Sequence, residues 1–153
     1  MKKIQDREHL KKICQGLRVN GKRVVFTNGC FDIIHIGHVR YLKKARSLGD
    51  LLIVGLNSDG SVSGIKHGRP VNPQSQRAEV LAALSMVDYV CLFEEKTPYN
   101  LIRALKPDIL VKGGDWKKED IVGSDLVGQT FSLPFTKGIS TTLIIEKVCK
   151  LPR

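Results

Sequence analysis

The sequence predicts an α/β fold, a doubly wound parallel sheet covered by helices in three α/β/α layers. Three observations carry that expectation. Short runs such as Val24-Val25-Phe26 and Leu51–Leu56 are apolar throughout, as strands buried on both faces are. Segments of helical periodicity alternate with those runs, the pattern of a sheet built from strand–helix–strand units. The chain has 153 residues, enough for one such domain.

Ile4, Leu10, Ile13, Cys14 and Leu17 share one helical face, so a helical preamble is expected within residues 1–21, its helix covering roughly 6 to 18. Arg23 to Thr27 follows as a buried strand. After the turn between Gly29 and Gly37, Val39, Leu42, Ala45 and Leu48 recur at helical spacing, and Gly49 stops the helix. Leu51 to Leu56 is the second strand, followed by a polar loop from Asn57. Pro73 starts a helix running to about Ser85. Tyr89 to Phe93 is strand-like, Pro98 to Leu105 helical and Ile109 to Lys112 strand-like. Gly113 to Ser124 is expected as loop with a turn of helix, Thr130 to Leu133 as a last strand and Thr141 to Cys149 as a closing helix. A single domain over 1–153 of the Rossmann-like kind results. Its ligands are expected in the loops beyond the strands' carboxyl ends, residues 28–38, 57–72, 113–124 and 134–141.

Composition excludes several classes. No apolar run approaches the roughly 20 residues that span a bilayer, so no membrane partner is expected. Cys14, Cys30, Cys91 and Cys149 form no CxxC pair and read as reduced thiols of a cytoplasmic protein. The net charge is +10, and Lys2 to Arg23 holds eight basic residues against Asp6 and Glu8. Interleaved aromatics and a reading helix are both missing, so no nucleic-acid partner is expected. Gly60 to Ala78 contains Lys66, Arg69 and Arg77 and no acidic residue, a bias that suits a phosphate-facing loop. Each of the three is read equally as a solvated surface cation. Lys112 differs, because an ammonium ending an apolar strand needs a partner, and an active-site role follows.

The stretch "NGCFDIIHIGHVRYL" puts His35 and His38 on a Gly-rich turn between a strand and a helix. A catalytic zinc takes about three protein ligands. His9 and His67 are the remaining histidines and no cysteine pair is near, so no protein-held metal is expected. Cys30 as a nucleophile competes with Cys30 as a small residue at a tight turn, and the second is favoured. The histidines could simply cap the helix. Two of them at a helix N-terminus, where unpaired N–H groups attract anions, favour a phosphate site instead. Neither GxxxxGK(S/T) nor GxGxxG is present, so the phosphate site is of another kind.

"GCFDIIHIGH" resembles the HxGH signature of the nucleotidylyltransferase superfamily, and "GISTT", Gly138 to Thr142, resembles that superfamily's second motif. "LNSD", "VNPQSQR", "VDYV" and "TPYNLIRALKPDILVKGGDW" fall in the expected order, so the resemblance covers residues 22 to 149. Within the superfamily the pattern is most similar to the branch that adenylylates heptose 1-phosphate for lipopolysaccharide inner core, in a stand-alone form. That branch is often fused to a sugar kinase, which implies functional pairing with a separate heptose kinase; the oligomeric state stays open.

The resemblance implies ATP and a sugar 1-phosphate as substrates, with Mg²⁺ arriving on the ATP phosphates. It implies catalytic roles for His35, His38 and Lys112, with His38 nearest the charge developing at the α-phosphate. Thr27, Asn28, Gly29, Cys30, Phe31, Gly37, Gly113, Asp115, Ser140, Thr141 and Thr142 would bind nucleotide. Asp32, Asp59, Lys66, Arg69 and Arg77 would face the sugar phosphate or other phosphates. Related cytidylyltransferases resemble "RTEGIST" at the second motif, whereas here Phe135 stands in place of the arginine and Gly113-Gly114-Asp115 in place of "GDD". Two alternatives remain: a CTP-dependent enzyme acting on glycerol 3-phosphate or another alcohol phosphate, and a non-enzymatic nucleotide or nucleic-acid binder.

Overall fold

The computed structural model describes residues 2–152. Along the chain run α1 (Arg7–Val19), β1 (Val24–Gly29), α2 (Ile36–Arg46), β2 (Leu51–Asn57), α3 (Asp59–Ile65) and α4 (Gln74–Ala83). They are followed by β3 (Tyr89–Phe93), α5 (Tyr99–Leu105), β4 (Ile109–Gly113), β5 (Gln129–Leu133) and α6 (Thr141–Cys149). The five strands form one sheet in the order β3-β2-β1-β4-β5, and every pairing is parallel. This is the doubly wound sheet that the all-apolar runs predict.

Alternate residues of the strands feed two cores. Val24, Phe26, Ile53 and Leu110 pack with Leu10 and Cys14 of α1 and with Leu101, Ile102 and Leu105 of α5. Val25, Leu52, Val54, Ile109 and Val111 pack on the other face with Leu42 and Ala45 of α2 and Ala78 and Leu81 of α4. Both faces of the sheet are therefore covered, as parallel strands require.

Two expectations need correction, and a third holds with added detail. Ile4 lies outside the first helix and bridges to Val90, with the Gln5 amide donating to the Val90 carbonyl at 3.0 Å. The extended start of the chain pairs there with the open side of β3, an edge whose unpaired N–H and C=O groups invite a partner. The polar loop after β2 contains α3, which sequence periodicity hid behind Gly60, Ser61, Ser63 and Gly64. That helix rests on the Ser58 side chain, which accepts from the Ser61 amide at 3.2 Å, and on the fully buried Val62. The Gly113 to Ser124 stretch carries two short 3₁₀ turns, Lys118–Asp120 and Ser124–Leu126, the second ending just beyond it. Elsewhere the boundaries agree within two residues, and Asp6, Pro73 and Pro98 each stand at the helix N-cap.

Candidate functional site

The chain winds from β1 outward to β3 and returns through β4 on the other side of β1, so the strand order reverses between β1 and β4. Such sheets bind ligands in the crevice beyond the carboxyl ends of the strands at that point. Here the turn after β1 and the residues that end β4 flank it. Tyr41 of α2 links the two strands below it. Its hydroxyl lies 2.6 Å from Thr27 Oγ1 and donates to the Val111 carbonyl at 3.2 Å, and burial pushes the phenol up to about 12. Sequence reasoning missed Tyr41; its one signal is the three-residue spacing from His38 on the same helix. Thr27, expected to touch nucleotide, is fully buried and engaged with Tyr41, so it supports the crevice from beneath.

His35 is the N-cap of α2. Its Nδ1 accepts from the Gly37 amide at 3.1 Å, and His38 Nδ1 accepts from the His35 amide at 3.4 Å. The two rings stack with centroids 3.9 Å apart. The capping role weighed as the bland alternative is thus present, and it leaves a ligand role open. An Nδ1 that accepts a hydrogen bond carries no proton, so in the neutral ring the proton sits on Nε2. Burial, reinforced by the neighbouring His35 and Lys66 charges, lowers His38 to about 4; burial lowers His35 as well. At neutral pH the pair is uncharged, and each ring keeps one Nε2–H to donate. Gly37 is needed beside them, since a Cβ there would stand 2.9 Å from His35 Nδ1 and Cε1.

Lys112, at the end of β4, is largely buried, and burial lowers its pKa; the Lys66 charge lowers it further and Cys30 opposes the shift. Among the described residues neither Lys66 nor Lys112 has a carboxylate within ion-pairing distance. His35 and His38 at the start of α2 and Lys112 near the end of β4 thus stand at the carboxyl ends of two neighbouring strands, and the Lys66 charge acts on both His38 and Lys112.

Other expected residues are committed elsewhere. Arg77, expected at phosphate, is buried to 2% exposure. It donates to the carbonyls of Asn72 at 3.0 Å and Asn57 at 2.9 Å, to the carbonyl of Cys30 at 2.5 Å and to Asp59 Oδ1 at 2.7 Å. A guanidinium so engaged braces the ends of β1 and β2 and is not free for a ligand. Asp32 is 4% exposed and accepts from the Val71 and Asn72 amides and from Arg69. These bonds hold its carboxyl below the ordinary carboxylate value against the opposing effect of burial.

Asn28, Gly29 and Cys30 are half-buried at the end of β1, while the Phe31 ring is buried 5.5 Å from that of His38. Gly113 and Gly114 lie beneath Phe135: a Cβ on Gly114 would meet Phe135 Cε2 at 3.0 Å and Trp116 Nε1 at 2.9 Å. Phe135 is nonetheless 75% exposed, so it presents ring surface to the outside. Asp115 is exposed beside them. At the second motif Ser140 caps α6, accepting from the Leu143 amide at 3.1 Å. The Thr141 hydroxyl donates to the Asp32 carbonyl at 2.9 Å, and Thr142 is exposed. A Cβ on Gly37 would lie 3.8 Å from Thr136 Cβ, so the two signature loops meet.

Among the described residues no group of three or more His, Cys, Asp or Glu side chains is arranged to hold a metal ion, and no helix is long and apolar enough to cross a membrane.

The cytidylyltransferase-like family matches residues 26–147. The chain is 56% identical over 146 residues to the bifunctional protein HldE of a Nitratiruptor species, covering 95% of this chain and 32% of that protein. It is 57% identical over 151 residues to the bifunctional protein HldE of Trichlorobacter lovleyi, covering 95% of this chain and 31% of the relative. The chain thus spans about a third of the length of these relatives. Among solved structures, the lipopolysaccharide core biosynthesis protein from Thermoplasma volcanium superposes with a TM-score of 0.63 at 26% identity, over 78% of this chain and 100% of that one. The pantoate-beta-alanine ligase from Francisella tularensis superposes with a TM-score of 0.59 at 19% identity, over 97% of this chain and 78% of the other, a likeness of fold. The family match begins in β1, takes in both signature loops and ends in α6, and the chain belongs to the cytidylyltransferase-like family.

Proposed function

We propose that this chain transfers AMP from ATP to D-glycero-β-D-manno-heptose 1-phosphate, releasing pyrophosphate and giving ADP-heptose. The observation that carries the reading is the stacked His35–His38 pair at the N-terminus of α2, on the turn after β1, with Lys112 near the end of the neighbouring strand β4 and no carboxylate within ion-pairing distance of it among the described residues. A half-buried ammonium beside two imidazole N–H donors lacks an anion, and a triphosphate supplies one. The HxGH and GISTT motifs and the resemblance to heptose 1-phosphate adenylyltransferases support the same reading, as does the structural likeness to a lipopolysaccharide core biosynthesis protein.

An oxygen of the sugar phosphate attacks the α-phosphorus, the bond from that phosphorus to the bridging oxygen breaks, and pyrophosphate leaves. The attacking phosphate monoester is already ionised, so no strong base is needed, and catalysis reduces to positioning and charge stabilisation. His38 Nε2–H donates to the α-phosphate as its charge grows, and His35 donates beside it. Lys66 and Lys112 hold the phosphates. The Ser140 hydroxyl and the free amides of the first turn of α6 take the leaving pyrophosphate. Mg²⁺, carried by the phosphate oxygens, would offset the charge of pyrophosphate when bound; among the described residues the protein has no cluster of its own for it.

The family's description favours a second reading, CTP with an alcohol phosphate. Phe135 argues against it, because a ring in place of arginine offers no donor to a cytosine. A cytoplasmic setting suits four free thiols, and the name bifunctional, borne by relatives about three times as long, suits a heptose kinase as the partner activity. The test uses ATP labelled at the α-phosphate. Label appearing in ADP-heptose only when heptose 1-phosphate and Mg²⁺ are present supports the reading; label retained in ATP, or dependence on bound zinc, contradicts it.

A further inference from the structure

We infer that Asp32 is a positioning residue that fixes both flanks of the anion site at once, its carboxylate holding the basic loop of residues 66–72 and its carbonyl holding the start of α6. This inference rests on the proposed function for what the site binds. Asp32 Oδ2 accepts from the Val71 amide at 2.7 Å and from Arg69 Nη1 at 3.3 Å, and Oδ1 accepts from the Asn72 amide at 3.0 Å. Three of the roughly four lone-pair positions of the carboxylate are filled from inside the protein. The group is 4% exposed, which leaves no face for a sugar hydroxyl or a metal ion.

On its other side the Asp32 carbonyl accepts from the Thr141 hydroxyl at 2.9 Å. One residue therefore joins the HxGH turn, the loop that carries Lys66, and the helix start that carries Ser140. The arrangement has local support. Phe31 at φ 45° and Ile33 at φ 50° flank Asp32 in the left-handed region, which a β-branched residue avoids unless its surroundings impose it. Asn72 is gripped twice, through its amide by Asp32 and through its carbonyl by Arg77 Nε at 3.0 Å.

A carboxylate suits this post because every partner is a donor. Asparagine has the same shape but turns two N–H donors toward other donors, so Asp32→Asn opens the latch with little change of volume. Thr141→Val removes the second arm and Thr141→Ser restores it. The measurements are amide exchange at Val71 and Asn72, and the dissociation constants of Mg·ATP and of tripolyphosphate. Asp32→Asn should expose both amides and weaken both ligands about tenfold, the size expected for charge-assisted bonds lost. In a Lys66→Ala background the same substitution should weaken binding little further, since the loop's cation is already gone. Thr141→Val should weaken tripolyphosphate, with Thr141→Ser close to wild type. Exposed amides with unchanged ligand affinity, or a full additional loss in the Lys66→Ala background, would overturn the inference. Wild-type protein that binds tripolyphosphate tightly and transfers no adenylyl group would sink the proposed function, while the latch would still be judged by the same cycle. Wild-type protein that binds no tripolyphosphate would overturn both.

Discussion

His38 accepts at Nδ1 from the His35 amide, and that bond sets what the rest of the ring does. The ring is held in place, its proton is assigned to Nε2, and burial keeps it neutral at physiological pH. In the proposed mechanism such a donor strengthens as charge appears on the α-phosphate. His38→Ala should therefore lower kcat by about 10²–10³ while changing ATP affinity much less, the pattern for loss of one oxyanion donor. Turnover near wild type from a folded His38→Ala protein would remove His38 from the chemistry. Stability gives a separate check. Imidazole in the unfolded chain titrates near 6.5 and His38 in the folded protein near 4. Between those values the unfolded state binds the extra proton, so the contribution of His38 is fully present above the unfolded pKa and is lost as pH falls toward the folded one. The urea midpoint should be lower at about pH 5 than at about pH 7.5, and the difference should shrink in His38→Asn. An unchanged pH difference in that variant would contradict the burial argument.

Among the elements, the turn after β1 and the helix α4 are tied together by Arg77, which reaches three carbonyls and one carboxylate from a buried position. Arg77→Ala leaves the three carbonyls without that donor and should cost at least about 2 kcal/mol in urea unfolding, since a buried acceptor left unsatisfied costs about 1–3 kcal/mol. Lys66→Ala, at an exposed loop position, should stay within about 0.5 kcal/mol of wild type and weaken nucleotide binding instead. Equal stability losses in the two variants would contradict the division drawn between them. The contrast also marks what sequence discloses. The partly buried ammonium of Lys112, unpaired among the described residues, is legible because a cation on an apolar strand has few ways to be satisfied. Arg69 and Arg77 are not, because burial of a loop or helix cation is decided by carbonyls and carboxylates from distant segments. β3 and α6 are placed to the residue: an apolar run and a helical run, each flanked by turn residues, bound themselves. α3 escapes notice because its helicity depends on the Ser58 cap and on burial of a single valine, neither of which makes a period. Tyr41, likewise, gains its place only when β1 and β4 become neighbours.

For the whole molecule, the strand order brings the turn after β1, with its two histidines, next to the end of β4, with Lys112, and the proposed chemistry is assigned to that point. Family membership leaves the substrate pair as the central claim. Phe135 lies over the Gly113-Gly114 turn with its ring 75% exposed, at the position where the cytidylyltransferase pattern would have an arginine. A polar contact to the base made or lost there, once bound nucleotide covers it, discriminates between nucleotides. The most direct measurement is kcat/KM for ATP and CTP, each with heptose 1-phosphate and with glycerol 3-phosphate. ATP with heptose 1-phosphate should exceed the other three combinations by on the order of 10²-fold or more, the discrimination available from such contacts. Highest efficiency for CTP with glycerol 3-phosphate would contradict the claim.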